Sequence, residues 1–163
     1  MSSSNHIALV TGANKGIGFA ITRDLCRKFS GDVVLTARDE ARGKAAVQQL
    51  QAEGLSPRFH QLDIDDPQSI RALRDFLLKE YGGLDVLVNN AGIDPTHFHI
   101  QAEAAMKTNF FGTRAVCLEI LPLIKPQGKP EEGAETPVYL ALLPPDAEGP
   151  HGQFVQEKKV EQW

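Results

Sequence analysis

A glycine-rich turn between an apolar segment and an amphipathic segment constrains this fold most. The turn is residues 11–18, and the apolar residues 6–10 before it are typical of a buried strand. Apolar residues spaced by four then predict one face of a helix, namely Ile17, Ile21, Leu25 and Phe29. The unpaired N–H groups and the positive dipole end at such a helix start favour a bound phosphate group, and glycine allows its close approach. The sequence therefore predicts a phosphate-binding strand–loop–helix unit.

The spacing of the glycines is Gly-x-x-x-Gly-x-Gly, formed by Gly12, Gly16 and Gly18. It differs from the Gly-x-Gly-x-x-Gly spacing of many dinucleotide sites, and glycines alone also suit an ordinary turn. The strand before the loop and the helix after it supply the context that favours a pyrophosphate site.

Length and charge narrow the class of protein. A chain of 163 residues suits one domain, and its net charge of −4 argues against a nucleic-acid platform or a basic membrane face. No apolar run reaches transmembrane length, and residues 1–4 lack the apolar core of a signal peptide, so we expect a cytoplasmic protein. Cys26 and Cys117 fall in apolar helical patterns, which predicts core thiols rather than a disulfide.

Strand-like and helix-like segments alternate along the first 121 residues. Further strands are predicted at residues 32–37, 58–62 and 85–89. Helices are predicted at residues 40–53, from 66–67 to 82–83, and at 101–121. The apolar side of the last helix is predicted to contain Met106, Phe110, Cys117 and Leu121. Such alternation predicts an α/β fold, a Rossmann-like doubly wound parallel sheet with helices on both faces.

The alternation stops near residue 125. Residues 125–130 are rich in turn-forming residues where another strand belongs, and about two strands of a complete fold are missing between Gly128 and Pro130. We therefore predict a truncated core at residues 1–128 and a second piece at 129–163, packed on or beside that core. The second piece contains a helix at 131–143 with Pro137 inside it and a short last strand around residues 153–155 and 160. Residues 86–88 are expected at or near an exposed sheet edge, which favours association with other chains.

Basic residues near the end of the second strand predict the choice of cofactor. Arg38 follows that strand, and Lys15 and Arg42 add positive charge on the same side. A carboxylate at this position accepts from the ribose 2′-OH of NAD, whereas arginine accommodates the 2′-phosphate of NADP, so the sequence favours NADPH. Asp39 would instead favour NADH, although it also suits the cap of the following helix. The alternative for Arg38 is that it is simply solvated.

Polar residues after the third and fourth strands complete the predicted site. Asp63 is placed to bond the adenine amino group with Ile64 against the ring, or else is a turn aspartate; residues 89–92 either contact the cofactor or stabilise their turn. The full set of predicted cofactor-binding residues is Gly12, Asn14, Lys15, Gly16, Ile17, Gly18, Arg38, Arg42, Asp63, Ile64, Asn90 and Gly92.

Three motifs in this order resemble the short-chain dehydrogenase/reductases: Thr11-Gly12-x-x-x-Gly16-x-Gly18, Asn89-Asn90-Ala91-Gly92 and Lys107-Thr108-Asn109. Residues 31–37, 54–66 and 133–149 are in addition similar to the monomeric, cytosolic carbonyl reductases that use NADPH. The resemblance covers nearly all of the chain. It implies a monomer that reduces small-molecule carbonyl substrates (ketones, aldehydes and quinones) by hydride transfer from NADPH.

The resemblance also implies a catalytic set of which this chain holds one member. In the family a tyrosine donates a proton, a lysine four residues later lowers the pKa of that tyrosine, a serine orients the carbonyl and an asparagine supports the proton relay. Asn109 matches the asparagine, although a polar residue bonded to neighbouring backbone is the alternative. No serine occurs after Ser69, and neither Tyr81 nor Tyr139 has a lysine four residues later. A large internal deletion explains these losses.

The sequence therefore predicts a carbonyl-reductase scaffold that binds NADPH with little or no turnover. Two alternatives stay open: residual reduction that uses another acid such as Asp94 or Glu103, and a non-enzymatic role as a partner-binding fragment or a marginally stable product of variant splicing. No metal site is predicted, because the pair His97 and His99 has no evident third ligand.

Overall fold

The computed structural model describes residues 6–93 and 102–125, together with the backbone of residues 155–156 and 159–160. The chain divides into two compact units, residues 1–125 and 126–163, which are described separately. The helix predicted at 131–143 lies outside the described residues.

The first unit contains one parallel sheet of four strands in the order β3-β2-β1-β4. The strands are β1 (His6–Val10), β2 (Gly31–Ala37), β3 (Arg58–Gln61) and β4 (Val86–Val88). The chain builds the sheet outward from β1 to β3 and then returns to the other side of β1 with β4. Ligands of open α/β sheets bind where the strand order reverses in this way, at the carboxyl ends of the strands.

The helices follow the strands as the sequence predicts up to residue 81. They are α1 (Gly16–Lys28), α2 (Glu40–Ala52), α3 (Pro67–Tyr81), α4 (Ala102–Met106) and α5 (Thr113–Ile120), with a π-helical segment (Lys107–Gly112) before α5 and a 3-10 turn (Leu121–Leu123) after it. Asp66 caps α3 by accepting from the backbone N–H of Gln68, and Gly82 ends α3 in the left-handed region at φ 68°. These caps explain why the α3 boundaries are readable from sequence.

Two apolar clusters lie on opposite faces of the sheet, which confirms the doubly wound arrangement. One joins α1 and α2 to the sheet and contains Phe19, Leu35 and Leu50. The other joins α3 and α5 to the sheet and contains Ile7, Leu73, Leu77, Val116 and Ile120. Burial of these side chains, each contributing about 1.5–3 kcal/mol, stabilises the unit.

Strand β4 lies at an edge of the sheet, as expected. On its outer side, the backbone N–H of Leu84 donates to the Leu123 carbonyl at 2.9 Å and the N–H of Lys125 donates to the Leu84 carbonyl at 2.7 Å. Leu84 and Ile124 thereby form a parallel bridge. This bridge is isolated and lies outside the named strands, and residues 86–88 pair only with β1 among the described residues.

The predicted helix at residues 101–121 is partly wrong. Residues 107–112 are π-helical, and Met106, Phe110 and Leu121 are exposed rather than directed into the core. Val116 and Ile120 are buried instead, because the π turn changes which side chains face α3.

Two other burial predictions also need correction. Ile17 is 76 % exposed, so the inner face of α1 is formed by Phe19 and Thr22, with Ile21 and Leu25 partly buried. Cys26 and Cys117 are free thiols of intermediate burial.

In the second unit, Val155–Gln156 (β5) and Lys159–Val160 (β6) pair antiparallel. This two-stranded sheet replaces the single short strand predicted there. None of the helices in the described part of the chain has the length and apolar character needed to cross a membrane.

Candidate functional site

A cleft of about 550 Å³ lies at the carboxyl ends of the strands, where the loops after all four strands meet. Of the predicted cofactor-binding residues it is lined by Gly12, Asn14, Lys15, Gly16, Ile17, Arg38, Arg42, Asp63, Ile64, Asn90 and Gly92. Gly18 and Asn109 are absent from the lining. The fold thus gathers residues from separate loops into one concave surface.

The three glycines of the first loop have different structural roles. Gly12 and Gly16 have φ of 63° and 59°, a region that side chains disfavour, and both face the cleft. A Cβ atom on Gly12 would lie 2.7 Å from the Ala91 Cα atom. Gly18 is buried behind the loop, where a Cβ atom would lie 2.7 Å from the Gly12 carbonyl oxygen. Gly18 therefore permits the loop to pack on α1, whereas Gly12 and Gly16 shape the cleft.

The amino-terminal end of α1 has features suited to an anionic group. Lys15, at the cap position, makes no side-chain capping bond, and no acidic residue occupies the first turn. Ile17 in that turn lines the cleft with its side chain 76 % exposed. Backbone N–H groups and a positive dipole end beside an exposed apolar side chain fit a dinucleotide phosphate with an organic group next to it.

Three cationic side chains, Lys15, Arg38 and Arg42, surround this end of the cleft and are exposed. Asp39 accepts from the backbone N–H of Arg42 at 2.9 Å as the cap of α2, and its carboxylate lies 3.8 Å from the Arg42 guanidinium. Lys15 and Arg38 form no ion pair within residues 6–93 and 102–125. Positive charge is therefore available to an anionic group at this end of the cleft.

Thr11 and Asn90 join the first loop to the end of β4. The Asn90 side-chain amide donates to the carbonyl oxygens of Thr11 and Gly12, both at 3.0 Å. The Thr11 hydroxyl oxygen accepts from the backbone N–H groups of Asn90 at 3.0 Å and Ala91 at 2.9 Å. Of the two roles that the sequence left open for this turn, stabilisation is therefore visible, and Asn90 also lines the cleft.

The loop after β3 forms the opposite wall. Asp63 accepts from the backbone N–H of Asp65 at 3.0 Å, and the Ser69 hydroxyl oxygen accepts from the backbone N–H of Asp63 at 2.9 Å. Thr108 donates from its hydroxyl to Asp65 at 2.8 Å. Asp65 and Thr108 both line the cleft, and sequence reasoning missed them because a bond between residues 43 positions apart has no local signal.

Asn109 is bonded to the backbone of Ile93, a residue that lines the cleft. Its amide oxygen accepts from the Ile93 N–H at 2.8 Å, and its amide nitrogen donates to the Ile93 carbonyl at 2.9 Å. Both polar atoms of this one predicted catalytic residue are thus used to anchor the segment after β4. The structural alternative for Asn109 is realised in this arrangement.

Tyr81 lies near the start of β3, at the opposite end of that strand from the cleft. Its hydroxyl accepts from the Arg58 guanidinium at 2.7 Å, and Arg58 begins β3, whereas the cleft follows the end of that strand. The length of β3 separates Arg58, the partner of Tyr81, from the cleft by about 10 Å, at about 3.3 Å per residue. Burial raises the pKa of Tyr81 despite the lowering effect of Arg58. Tyr139 lies outside the described residues.

Of the substitute acids and the paired histidines considered from the sequence, Glu103 alone falls within the described residues, and it does not line the cleft. Glu103 contributes to a different depression, beside Met106 and Phe111, and Asp94 lies outside the described residues. So do His97 and His99. Within residues 6–93 and 102–125, no three His, Cys, Asp or Glu side chains are grouped as metal ligands.

The family model for short chain dehydrogenases matches residues 6–133. The chain is 52 % identical to carbonyl reductase [NADPH] 1 of Mus musculus over 277 positions, which span 100 % of both chains. Since this chain has 163 residues, more than a hundred of those positions have no counterpart in it, and they are internal because both ends are aligned.

Solved structures agree on the fold. The chain is 31 % identical to menthone neomenthol reductase from Mentha piperita, with a TM-score of 0.66 over 77 % of this chain and 58 % of that one. It is 35 % identical to a metagenomic short-chain oxidoreductase in complex with NADP, with a TM-score of 0.62 over 76 % of this chain and 58 % of that one. The chain thus spans about 58 % of the length of these structures. By its glycine loop, its strand order and these similarities, the chain belongs to the short-chain dehydrogenase/reductase family, with a large internal deletion relative to the carbonyl reductases.

Proposed function

We propose that this chain binds NADPH through the adenosine and pyrophosphate half of the cofactor and reduces carbonyl compounds little or not at all. The observation that carries the proposal is the single cleft that brings the positive-φ glycine loop together with Lys15, Arg38 and Arg42. The relative from Mus musculus is named as an NADPH-dependent carbonyl reductase, and the metagenomic relative was solved with NADP.

In this proposal Arg38 and Lys15 hold the 2′-phosphate, and the first turn of α1 holds the pyrophosphate. A charge-assisted arginine–phosphate bond is about twice as strong as a neutral hydrogen bond. Asp39 does not oppose this choice, because its carboxylate is already used to cap α2 and to face Arg42. NADPH is therefore favoured over NADH.

Asp63 and Ile64 hold the adenine in the same proposal. Ile64 is 7 % exposed and belongs to the apolar cluster around α3, so it offers a fixed surface. Gly92 and Asn90 line the continuation of the cleft toward the end of β4.

Bound NADPH supplies a hydride for a carbonyl carbon, and the protein must supply a proton and fixed donors for the carbonyl oxygen. No serine follows Ser69 in the sequence, and Tyr81 lies near the start of β3, away from the cleft, with a raised pKa. Asn109 is bonded to Ile93 at both polar atoms. These observations support binding without efficient turnover, since near-attack geometry and proton donation account for many kcal/mol of barrier lowering.

A second candidate function is partner binding through the β4 edge. It is favoured by residues 86–88, which are partly buried apolar residues and pair on one side only within the described part of the chain. Exposed strand edges accept a further strand from another chain.

Thermal melting of the full chain with 2′,5′-ADP tests cofactor binding. We expect the melting temperature to rise with ligand concentration, as mass action requires. Arg38→Asp should weaken NADPH binding by about tenfold and NADH binding much less. Arg71→Asp, an equal change of charge on the exposed surface of α3, is the matched control and should leave both affinities unchanged. A folded sample that shows no shift with 2′,5′-ADP, or a chain that never becomes compact, contradicts the proposal.

Loss of NADPH absorbance in the presence of menadione tests turnover. We expect no rate above the background without protein. A rate that approaches that of an intact carbonyl reductase, and that disappears in Gly16→Val, would show that this chain is an active enzyme.

A further inference from the structure

The hydroxyl of Thr108 connects two elements that are distant in sequence. It donates to the Asp65 Oδ2 atom at 2.8 Å, joining the π-helical segment to the β3 loop, which we define as residues 62–66. The bond is partly buried, and both residues line the dinucleotide cleft. Its neighbour Asn109 bonds instead to the backbone of Ile93, which follows β4.

The β3 loop transmits this contact to Asp63. Asp65 donates its backbone N–H to the Asp63 Oδ1 atom at 3.0 Å, and Asp66 donates its N–H to the Asp63 carbonyl at 3.2 Å. The Asp63 carboxylate and the Asp65 backbone therefore belong to one small hydrogen-bonded turn, and the Asp65 side chain bonds Thr108. The backbone of Asp65 thus links the Thr108 contact to the Asp63 carboxylate.

The π-helical segment also packs closely against this turn through Gly112. Gly112 is buried, and a Cβ atom there would lie 3.0 Å from the Ile64 carbonyl oxygen and 3.2 Å from the Asp65 Oδ1 atom. That Oδ1 atom is itself buried without a hydrogen-bond partner among the described residues. The Thr108 bond is accordingly the one hydrogen bond that the described part of the chain provides to the Asp65 carboxylate.

We propose that Thr108 is a positioning residue that, through Asp65, holds the Asp63 carboxylate in place to accept from the adenine amino group. This inference rests on the proposed function, in which Asp63 contacts adenine. Thr108 does not touch the adenine itself, and its effect passes through the β3 loop. Loss of the Thr108 hydroxyl should therefore reduce discrimination between adenine and a base without the amino group.

Binding of two ligands that differ at one position tests this role. The probes are 2′,5′-ADP and its hypoxanthine analogue, which replaces the amino group with a carbonyl oxygen, titrated into the full chain by calorimetry. A hydrogen bond to a charged group gives about tenfold or greater discrimination, so the original chain should prefer 2′,5′-ADP by about tenfold. In Thr108→Val, which keeps the shape and removes the hydroxyl, the preference should fall below about threefold. Thr108→Ser, the matched control that keeps the donor, should retain about tenfold preference.

The ratio of the two affinities separates positioning from stability. A purely structural role for Thr108 would weaken both ligands alike and leave the ratio unchanged in Thr108→Val, which would overturn the inference while cofactor binding stands. Failure of the original chain to bind 2′,5′-ADP would instead overturn the proposed function. If Thr108→Val lacks the circular dichroism of the folded chain, Asp65→Ala removes the acceptor of the same bond and should lower the ratio equally.

Discussion

Replacing Thr11 by valine should destabilise the first unit by about 3 kcal/mol. Thr11 is 1 % exposed, and its hydroxyl oxygen accepts from two backbone N–H groups, those of Asn90 at 3.0 Å and Ala91 at 2.9 Å. Valine has nearly the same shape but no acceptor, so both N–H groups lose their partner. Each unsatisfied donor costs about 1–3 kcal/mol, and we take about 1.5 kcal/mol each because Asn90 and Ala91 are only partly buried.

The hydroxyl of Thr11 also donates to the Val88 carbonyl, but at 3.4 Å this bond is long and adds little. A loss of about 3 kcal/mol is a large part of the 5–15 kcal/mol typical of a domain. With a slope of about 2 kcal/mol/M in urea, the unfolding midpoint should fall by about 1.5 M.

Urea unfolding followed by circular dichroism at 222 nm is the assay, with Thr11→Ser as the matched control. Serine keeps the acceptor and removes one buried methyl group, so its cost should be about 1 kcal/mol. The reasoning is refuted if the valine variant lies within 1 kcal/mol of the original chain, or if serine costs as much as valine, at an unchanged urea slope.

Two further predictions concern the pH dependence and the glycine loop. The Asp85 side chain is 4 % exposed; burial raises its pKa, but the N–H of Ile7 and the nearby positive charges outweigh burial, so its pKa lies below the usual value. The stability that the ionised Asp85 contributes is therefore fully present above the unfolded pKa of about 4 and is lost as the pH falls through the folded pKa. Between pH 6 and 2, the urea midpoint should fall more steeply for the original chain than for Asp85→Asn. Parallel curves for the two proteins would contradict this reasoning. Gly18→Ala should destabilise the chain by about 1–3 kcal/mol, because the added Cβ atom overpacks against the loop backbone. Gly16→Ala should cost only roughly 1 kcal/mol of backbone strain, since nothing lies within 4 Å of its added Cβ atom. A lower melting temperature for Gly16→Ala than for Gly18→Ala would show that backbone strain outweighs packing in this loop.

Although it has an internal deletion, the chain retains a parallel sheet within its first 125 residues. The residues that pair β4 with β1, and the helices that cover both faces, all precede residue 126. Leu84 and Ile124 add one isolated parallel bridge on the outer side of the sheet. The described unit therefore covers both faces of its own sheet with helices that precede residue 126.

Local patterns in the sequence are sufficient to predict the strands and helices up to residue 81. The apolar strand before the loop, Asp66 and Pro67 at the start of α3, and Gly82 at its end were all readable in sequence, because each acts on residues within a few positions of itself. The same holds for Asp39, whose capping role follows from its place before α2. The order of the strands, in which β4 returns beside β1, is in contrast decided by the tertiary structure.

The tertiary structure alone decided the contacts between residues far apart in sequence. Asn90 was predictable as a polar residue after a strand, but its bonds to Thr11 and Gly12 arise because β4 returns beside β1. The bond of Thr108 to Asp65 and the outward direction of Phe110 depend on a π turn that helical periodicity does not show. Periodicity and caps report interactions within one element, whereas the cleft is formed by loops that only the folded sheet brings together.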